Sequence, residues 1–412
     1  MKHKITTMHQ IHRPGLFLML LSVLTGCSGQ TKNSNPNQQT TTPSINKLVG
    51  GGCDGCELMY IDIPTNISSV DTSAGWAAKG QKLLVTGTVF KHDGKTPVPN
   101  VIIYYWQTDH NGYYLPKQGL NEKAKRHGHI RGWIKSDEYG KFSIYTIRPA
   151  PYPNENIPAH IHTSIKEPNI DNEYYLDEFV FDDDRLLTGA KRKALENRGG
   201  SGILRVLISG DLQIAEHNII LGLNIPNYPL ELEQEKQSGL HIGEDQPSFI
   251  PFHAWGPDKG TRTCPVCKYG RYQGIVYFVG NNPNWVEIKK WLTYLEQESV
   301  TRSKYLKAYF VYGNELNYNK DDRRKELERI GLELNLKNIA LTFVPSLTDT
   351  ESEVNLNKLN PAVENTFVIY QHRTIIEKYI DLTATQDNFK IMSTTLDKTK
   401  SEYFNLEEPK HE

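Results

Sequence analysis

Between positions 83 and 223 the apolar residues come in short runs, each closed by turn-forming residues. Residues 83–90 (LLVTGTVF) read as a strand ending in the turn His92-Asp93-Gly94-Lys95, and 101–107 as a second ending at Asp109-His110-Asn111-Gly112. A strand at 133–135 leads through Asp137-Glu138-Tyr139-Gly140 to another at 141–147. Further strands are expected at 159–165, 203–209 and 219–223, with one charged helical excursion over 182–197. Many short strands separated by regular turn signals predict an antiparallel β-sandwich.

After residue 247 the pattern changes. The unbroken apolar run 274–280 reads as a buried strand. Trp285, Ile288, Trp291, Leu292 and Leu295 then recur at helical spacing, which predicts a helix over 284–297. A strand at 305–312, a helix at 321–334 and a strand at 339–344 follow. Residues 366–370 and 374–380 form a hairpin about Gln371-His372-Arg373. Alternating strands and helices predict an α/β domain. The multidomain division expected is a sandwich at 47–229, a charged glycine-containing connection at 230–247, an α/β domain at 248–395 and a tail at 396–412.

The N-terminus belongs to neither domain. Basic residues Lys2, Lys4 and Arg13 precede the apolar run 16–24, the length of a signal-peptide core, which ends in Leu24-Thr25-Gly26-Cys27. Small residues before a cysteine resemble a bacterial lipobox, so 1–27 is expected to be a lipoprotein signal with Cys27 lipidated. An ordinary cleaved signal with a chance cysteine is the alternative. Residue 28 is Ser rather than Asp, which favours the outer membrane, facing the periplasm, over inner-membrane retention. Residues 28–46 are polar and rich in Asn, Gln and Thr, as in a flexible tether. With 47 Lys+Arg against 48 Asp+Glu, no nucleic-acid-binding footprint is visible. Membrane contact is expected only through the lipid anchor.

The chemistry gathers around YTIRPAPYPNENIPAHIHTSI, residues 145–165. Side chains alternate along a strand, so His160 and His162 share one face and Ile161 takes the other. Two imidazoles about 7 Å apart along a strand can converge on one metal ion. A bare His-x-His is equally the pattern of two surface or hydrogen-bonded histidines. The ordered series VTGTVF, GKTPVPNVIIYYWQTDHNGYY, RGWIKSDEYGKFSIYTIRPAPYP and PAHIH, over about residues 80–210, resembles the intradiol ring-cleavage dioxygenases. That resemblance implies one non-haem Fe(III) ion per chain, with Tyr114, Tyr152, His160 and His162 as its ligands and catalytic residues. It implies a catecholic substrate and O2, and leaves room for a homo-oligomer. Phenolate oxygens are hard anionic donors that favour Fe(III), with imidazole completing the set. The chain departs from the family where an arginine usually stands three residues before the first histidine: Ile157 fills that slot. Arg126, Arg131 and Arg148 are the candidates to replace it, and Asp177 and Glu178 occupy the region of a pocket glutamine.

Apart from Cys27, the cysteines form two Cys-x-x-Cys pairs, Cys53/Cys56 and Cys264/Cys267. In an exported protein such pairs are more often disulfides than free thiols, and one zinc shared by both is the remote alternative. Cys53/Cys56 is expected to pin the N-terminal segment. The region 248–395 resembles a thioredoxin-like domain, with Thr263-Cys264-Pro265-Val266-Cys267-Lys268 as its redox motif. The motif precedes the strand at 275–279, and no helix is expected after it to lower a thiol pKa, so a structural or redox-sensing disulfide is the alternative to a catalytic one. Three functions therefore compete: a ring-cleaving dioxygenase fused to a thioredoxin-like domain, a non-catalytic iron- or ligand-binding sandwich, and a thiol–disulfide oxidoreductase.

Overall fold

The computed structural model describes residues 48–230, 237–316 and 318–409. The signal segment, Cys27, the tether at 28–46 and part of the 230–247 connection lie outside them. Among the described residues no helix is long and apolar enough to cross a membrane.

The first half is built from two six-stranded sheets packed face to face. One runs Val70–Thr72, Lys141–Ile147, Lys82–Phe90, Leu212–Glu216, Val206–Ser209, with Ile219–Ile220 also against Lys82–Phe90. The other runs Arg131–Lys135, Ile102–Gln107, His160–Lys166, Phe179–Phe181, Ile203–Leu204, with Tyr174–Tyr175 against His160–Lys166. Leu83 and Val85 from the first sheet meet Ile103, Tyr105, Ile161, Ile165 and Phe179 from the second in one buried core. The sheets are mixed, not antiparallel throughout. Leu212–Glu216 runs parallel to Lys82–Phe90, and Phe179–Phe181 parallel to Ile203–Leu204. The cause lies in the expected strand at 203–209, which splits at Arg205 and passes from the second sheet to the first. Strands that switch sheets make the corners of a sandwich.

The helix expected over 182–197 is reduced to Gly189–Lys193. Asp182, Asp183 and Asp184 spend their carboxylates on arginines and backbone N–H groups instead, the usual way short acidic side chains compete with helix formation.

The second half carries a six-stranded sheet in the order Phe252–Trp255, Ala340–Phe343, Leu306–Tyr312, Gln273–Val279, Thr366–Gln371, Thr374–Ile380. The three strands from Ala340–Phe343 to Gln273–Val279 are parallel, and both sheet edges add antiparallel strands. Gln273–Val279 is buried at every position. Asn284 caps the helix Trp285–Arg302, whose Ile288, Trp291, Leu292 and Leu295 are buried against the sheet. Helices Lys320–Glu333 and Gln386–Lys398 complete the covering layers. The last begins inside the expected domain and ends inside the expected tail.

The connection and the tail both pack. Ser238 Oγ lies 2.7 Å from Thr366 Oγ1, and Gly243 N–H donates to Ile375 O (2.7 Å) while its carbonyl accepts from Ser201 N–H (2.9 Å). Beyond the last helix, Ser401 and Phe404 are buried and Glu407 bridges to Ile208 of the sandwich. Cys53–Cys56 and Cys264–Cys267 are both bonded. One expectation about the second pair is corrected: a short helix, Pro265–Tyr269, does follow Cys264, whose Sγ accepts the N–H of Cys267 at 3.0 Å. Pro265 at the first helical position, where a missing N–H costs nothing, explains it.

Candidate metal centre

His160 opens the strand His160–Lys166, which pairs with Ile102–Gln107 on one side and Phe179–Phe181 on the other. Ile161 points into the sandwich core, and the two imidazoles face outward with centroids 4.5 Å apart. Two loops bring tyrosines to the same place. In the first, Asp109 Oδ1 accepts the N–H groups of Asn111 and Tyr113, and its carbonyl accepts from Ala150 N–H. Gly112 has φ +87°, and a Cβ there would stand 2.1 Å from Pro151 O. Only glycine permits that approach, which sets Tyr114 beside Tyr152.

The four polar atoms converge. Tyr114 and Tyr152 hydroxyls are 2.7 Å apart, and His160 Nε2 and His162 Nε2 are 3.1 Å apart. Tyr152 Oη is 3.0 Å from His160 Nε2 and 3.2 Å from His162 Nε2, and Tyr114 Oη is 3.0 Å from His162 Nε2. The far side of each ring sets its tautomer. Pro158 O can only accept, so His160 Nδ1 donates to it (2.7 Å). Tyr175 donates to Glu178 Oε1 (2.9 Å), so His162 Nδ1 donates to the Tyr175 oxygen (2.5 Å). Both Nε2 lone pairs therefore point at the phenols. Trp106 lies flat between His162 and His127, with centroid distances of 4.8 and 4.1 Å, and fixes the plane of the His162 ring.

Burial raises the pKa of both Tyr114 and Tyr152. It pushes His162 well below the ordinary imidazole value, helped by His160 and His127. The set thus combines a His162 imidazole held neutral with two phenols reluctant to ionise unaided. Among the described residues no group of three or more His, Cys, Asp or Glu is placed to hold a metal, so the imidazole pair depends on its phenols. Metal–nitrogen and metal–oxygen bonds of about 2.0–2.2 Å separate neighbouring donors by roughly 3 Å. The observed spacings of 2.7 to 3.2 Å fit a single cation.

A cavity of about 440 Å³ opens in front, walled by Trp106, Tyr114, Tyr152, His162 and Tyr175. Its rim includes Gly52, Cys53 and Asp54 of the N-terminal disulfide loop, together with Arg126, His127 and Arg198. Of the three arginines expected as replacements, Arg126 reaches the cavity, tied to Asp54 and Glu57. Arg148 is held bidentate by Asp183 (2.7 and 2.8 Å), and Arg131 by Asp62 (2.9 Å). Ile157 is exposed. Trp106, His127, Tyr175 and Arg198 escaped the sequence reading, since each reaches the cavity through pairing or loop contacts that no local pattern encodes. Cys264 and Cys267 belong to the second half, in the stretch preceding Gln273–Val279.

The family model described as Dioxygenase matches residues 64–198. The protocatechuate 3,4-dioxygenase beta chain of Burkholderia cepacia is 32% identical over 92 residues, 21% of this chain and 39% of that protein. The chain thus spans about two fifths of the length of this curated relative. Among solved structures, the dioxygenase domain of a dioxygenase–carbohydrate-binding protein fusion from Streptomyces sp. SirexAA-E matches at 21% identity and TM-score 0.29, over 41% of this chain and 95% of that one. Catechol 1,2-dioxygenase from Acinetobacter sp. ADP1 matches at 20% identity and TM-score 0.30, over 40% and 62%. An intradiol ring-cleavage dioxygenase from Tetranychus urticae matches at 18% and 0.28, over 42% and 92%. Residues 64–198 of the chain are thus dioxygenase-like.

Proposed function

We propose that this domain is a non-haem Fe(III) intradiol ring-cleavage dioxygenase, acting on a catecholic aromatic with O2. The observation that carries the reading is the convergence of Tyr114, Tyr152, His160 and His162 on one point, with Tyr114, Tyr152 and His162 lining a cavity. Bound there, Fe(III) would draw electron density from a catecholate and make the ring reactive toward O2, so that it opens between the two hydroxylated carbons. The protein's own part is positional. His160 and His162, fixed in one tautomer, supply neutral nitrogen donors. Tyr114 sits on the glycine-dependent turn and stays in place. Tyr152, on the Pro-rich loop and in reach of both imidazoles, would be the phenol that yields to substrate and takes its proton at Oη. Trp106 and Tyr175 wall the cavity, and Arg126 offers positive charge at the rim in place of the missing arginine.

Purified chain should carry one ferric ion, show purple-red tyrosinate-to-iron charge transfer, and consume oxygen with at least one member of a catechol panel. Iron and colour without oxygen uptake would favour the binding-module reading. Absence of both would remove the ferric reading. Replacing Tyr175 by Phe takes away the acceptor of His162 Nδ1–H, and outer-shell losses of this kind typically weaken metal binding about 10–100-fold. Chelator competition on Tyr175→Phe is expected to show a loss in that range, and wild-type affinity would contradict it.

The second half has support for the thioredoxin-like reading in its sheet order, where a parallel strand–helix–strand pair is followed by an antiparallel hairpin and a helix. Exposure of Cys267, within the short helix that Cys264 caps, favours thiol–disulfide exchange as a second activity. Insulin reduction by the full chain, lost in Cys264→Ser, would support it. The proposed address is the bacterial envelope through lipid on Cys27. A Cys27→Ser variant should move from the detergent phase to the aqueous phase, and a wild-type chain already free in the periplasm would refute the anchor.

A further inference from the structure

We infer that Asp184 is a positioning residue for the metal centre, acting on His160 through the peptide group between Pro158 and Ala159. The inference rests on the ferric reading proposed above. Asp184 Oδ2 accepts the N–H of Ala159 at 2.7 Å, and the carbonyl of the same peptide unit, Pro158 O, accepts His160 Nδ1–H at 2.7 Å. Pro158 and Ala159 are buried. One amide plane therefore joins a carboxylate to the imidazole whose Nε2 faces Tyr152 and His162.

The sequence of pairings explains why a side chain is needed there. His160 and Ile161 are opposite Val180 and Phe179, where the neighbouring strand ends. Phe181 then gives its carbonyl to the N–H of Asp184 as the chain turns. Ala159 N–H would be left buried without a ladder partner, and the Asp184 carboxylate takes it. The turn itself is held from several sides. Asp183 grips Arg148 with both oxygens, Asp182 binds Arg192 and Arg205, and Asp184 Oδ1 accepts Leu186 N–H.

The chemistry follows from the shared plane. A carboxylate on the amide N–H polarises the peptide and makes its carbonyl a stronger acceptor. A stronger acceptor for Nδ1–H fixes the ring and raises the donor strength of Nε2. His162 has the equivalent arrangement through Tyr175 to Glu178, so each imidazole is backed by a carboxylate one group removed.

The test uses the full chain, with iron affinity measured by chelator competition and the tyrosinate-to-iron absorption recorded alongside. Asp184→Asn keeps an acceptor but loses the charge. It should weaken iron binding several-fold and shift the band while the iron-free protein keeps its unfolding midpoint. Asp184→Ala should weaken binding about tenfold or more. The graded order of wild type, Asn and Ala is the signature a merely structural role would not give. Wild-type affinity and an unshifted band in folded Asp184→Asn would overturn the inference, and Asp184→Asn decides the matter if Asp184→Ala fails to fold. A wild-type chain that binds no iron would instead overturn the four-donor reading on which this rests.

Discussion

A His160→Ala/His162→Ala double variant is expected to fold and to hold almost no iron. The strand survives because its pairing is backbone work: His162 is opposite Trp106 and His160 opposite Val180, and the core anchor between them is Ile161. What goes is half of the donor set and both neutral nitrogens. The remaining pair, Tyr114 and Tyr152, are phenols whose burial already opposes ionisation. Two phenols without imidazole partners cannot satisfy a transition-metal ion that prefers a mixed set. Metal analysis and loss of the charge-transfer colour would report the effect, with circular dichroism as the check on folding. Full iron occupancy in the double variant would refute the assignment of these histidines.

That prediction draws on the part of the site most legible in the sequence. The period-two rule alone puts His160 and His162 on one face. Tyr114 and Tyr152 are legible only through the resemblance of the surrounding motifs, because each arrives on a loop. The outer contacts are not legible at all. Asp184 lies 25 residues from Ala159, and the two meet because a two-pair ladder ends where it does. The fold divides in the same way. Gln273–Val279 and Trp285–Arg302 announce themselves by an unbroken apolar run and a long helical stripe. Gln386–Lys398 buries only Met392 and Leu396, too thin a stripe to stand out. Parallel pairing of Leu212–Glu216 with Lys82–Phe90 depends on partners some 130 residues apart, and nothing local fixes its direction.

The described halves also meet through partly buried charge, and there a single substitution should cost most in stability. Asp182 of the sandwich binds Arg192 and Arg205 (3.0 Å to the latter), and Arg205 Nε reaches Glu408 at 3.2 Å. From the other half, Arg373 binds Asp245 at 3.1 Å, with Arg192 4.0 Å from the same carboxylate. Burial opposes the charge on Asp182, yet Arg205, Arg192 and Arg373 outweigh it and hold the carboxyl below its usual range. Burial prevails at Asp245, where the carboxyl is pushed up despite Arg373 and Arg192. Several guanidinium nitrogens here, including Arg192 Nη1 and Arg205 Nη1, are buried without a hydrogen-bond partner. The network has no spare acceptor to compensate for a loss.

Asp182→Ala would leave two partly buried cations short of an anion; breaking a fully buried pair on one side costs about 3–5 kcal/mol, and that figure is the upper bound here. Replacing Asp182 and Arg205 together by apolar residues should cost less than Asp182→Ala alone, since one uncompensated charge leaves with its partner. The pH dependence has a definite sign. A carboxyl whose folded pKa is depressed contributes its stability in full above its unfolded value of about 3.9, and loses it as pH falls through the folded value. Asp245, shifted the other way, opposes that loss. Wild type should therefore lose stability on acidification below about pH 4, and Asp182→Ala should lose less over the same interval. Urea unfolding of both proteins across that range measures the difference. A cost for Asp182→Ala within the roughly 0–1 kcal/mol of an exposed ion pair would show that the seam between the halves does not depend on this carboxylate.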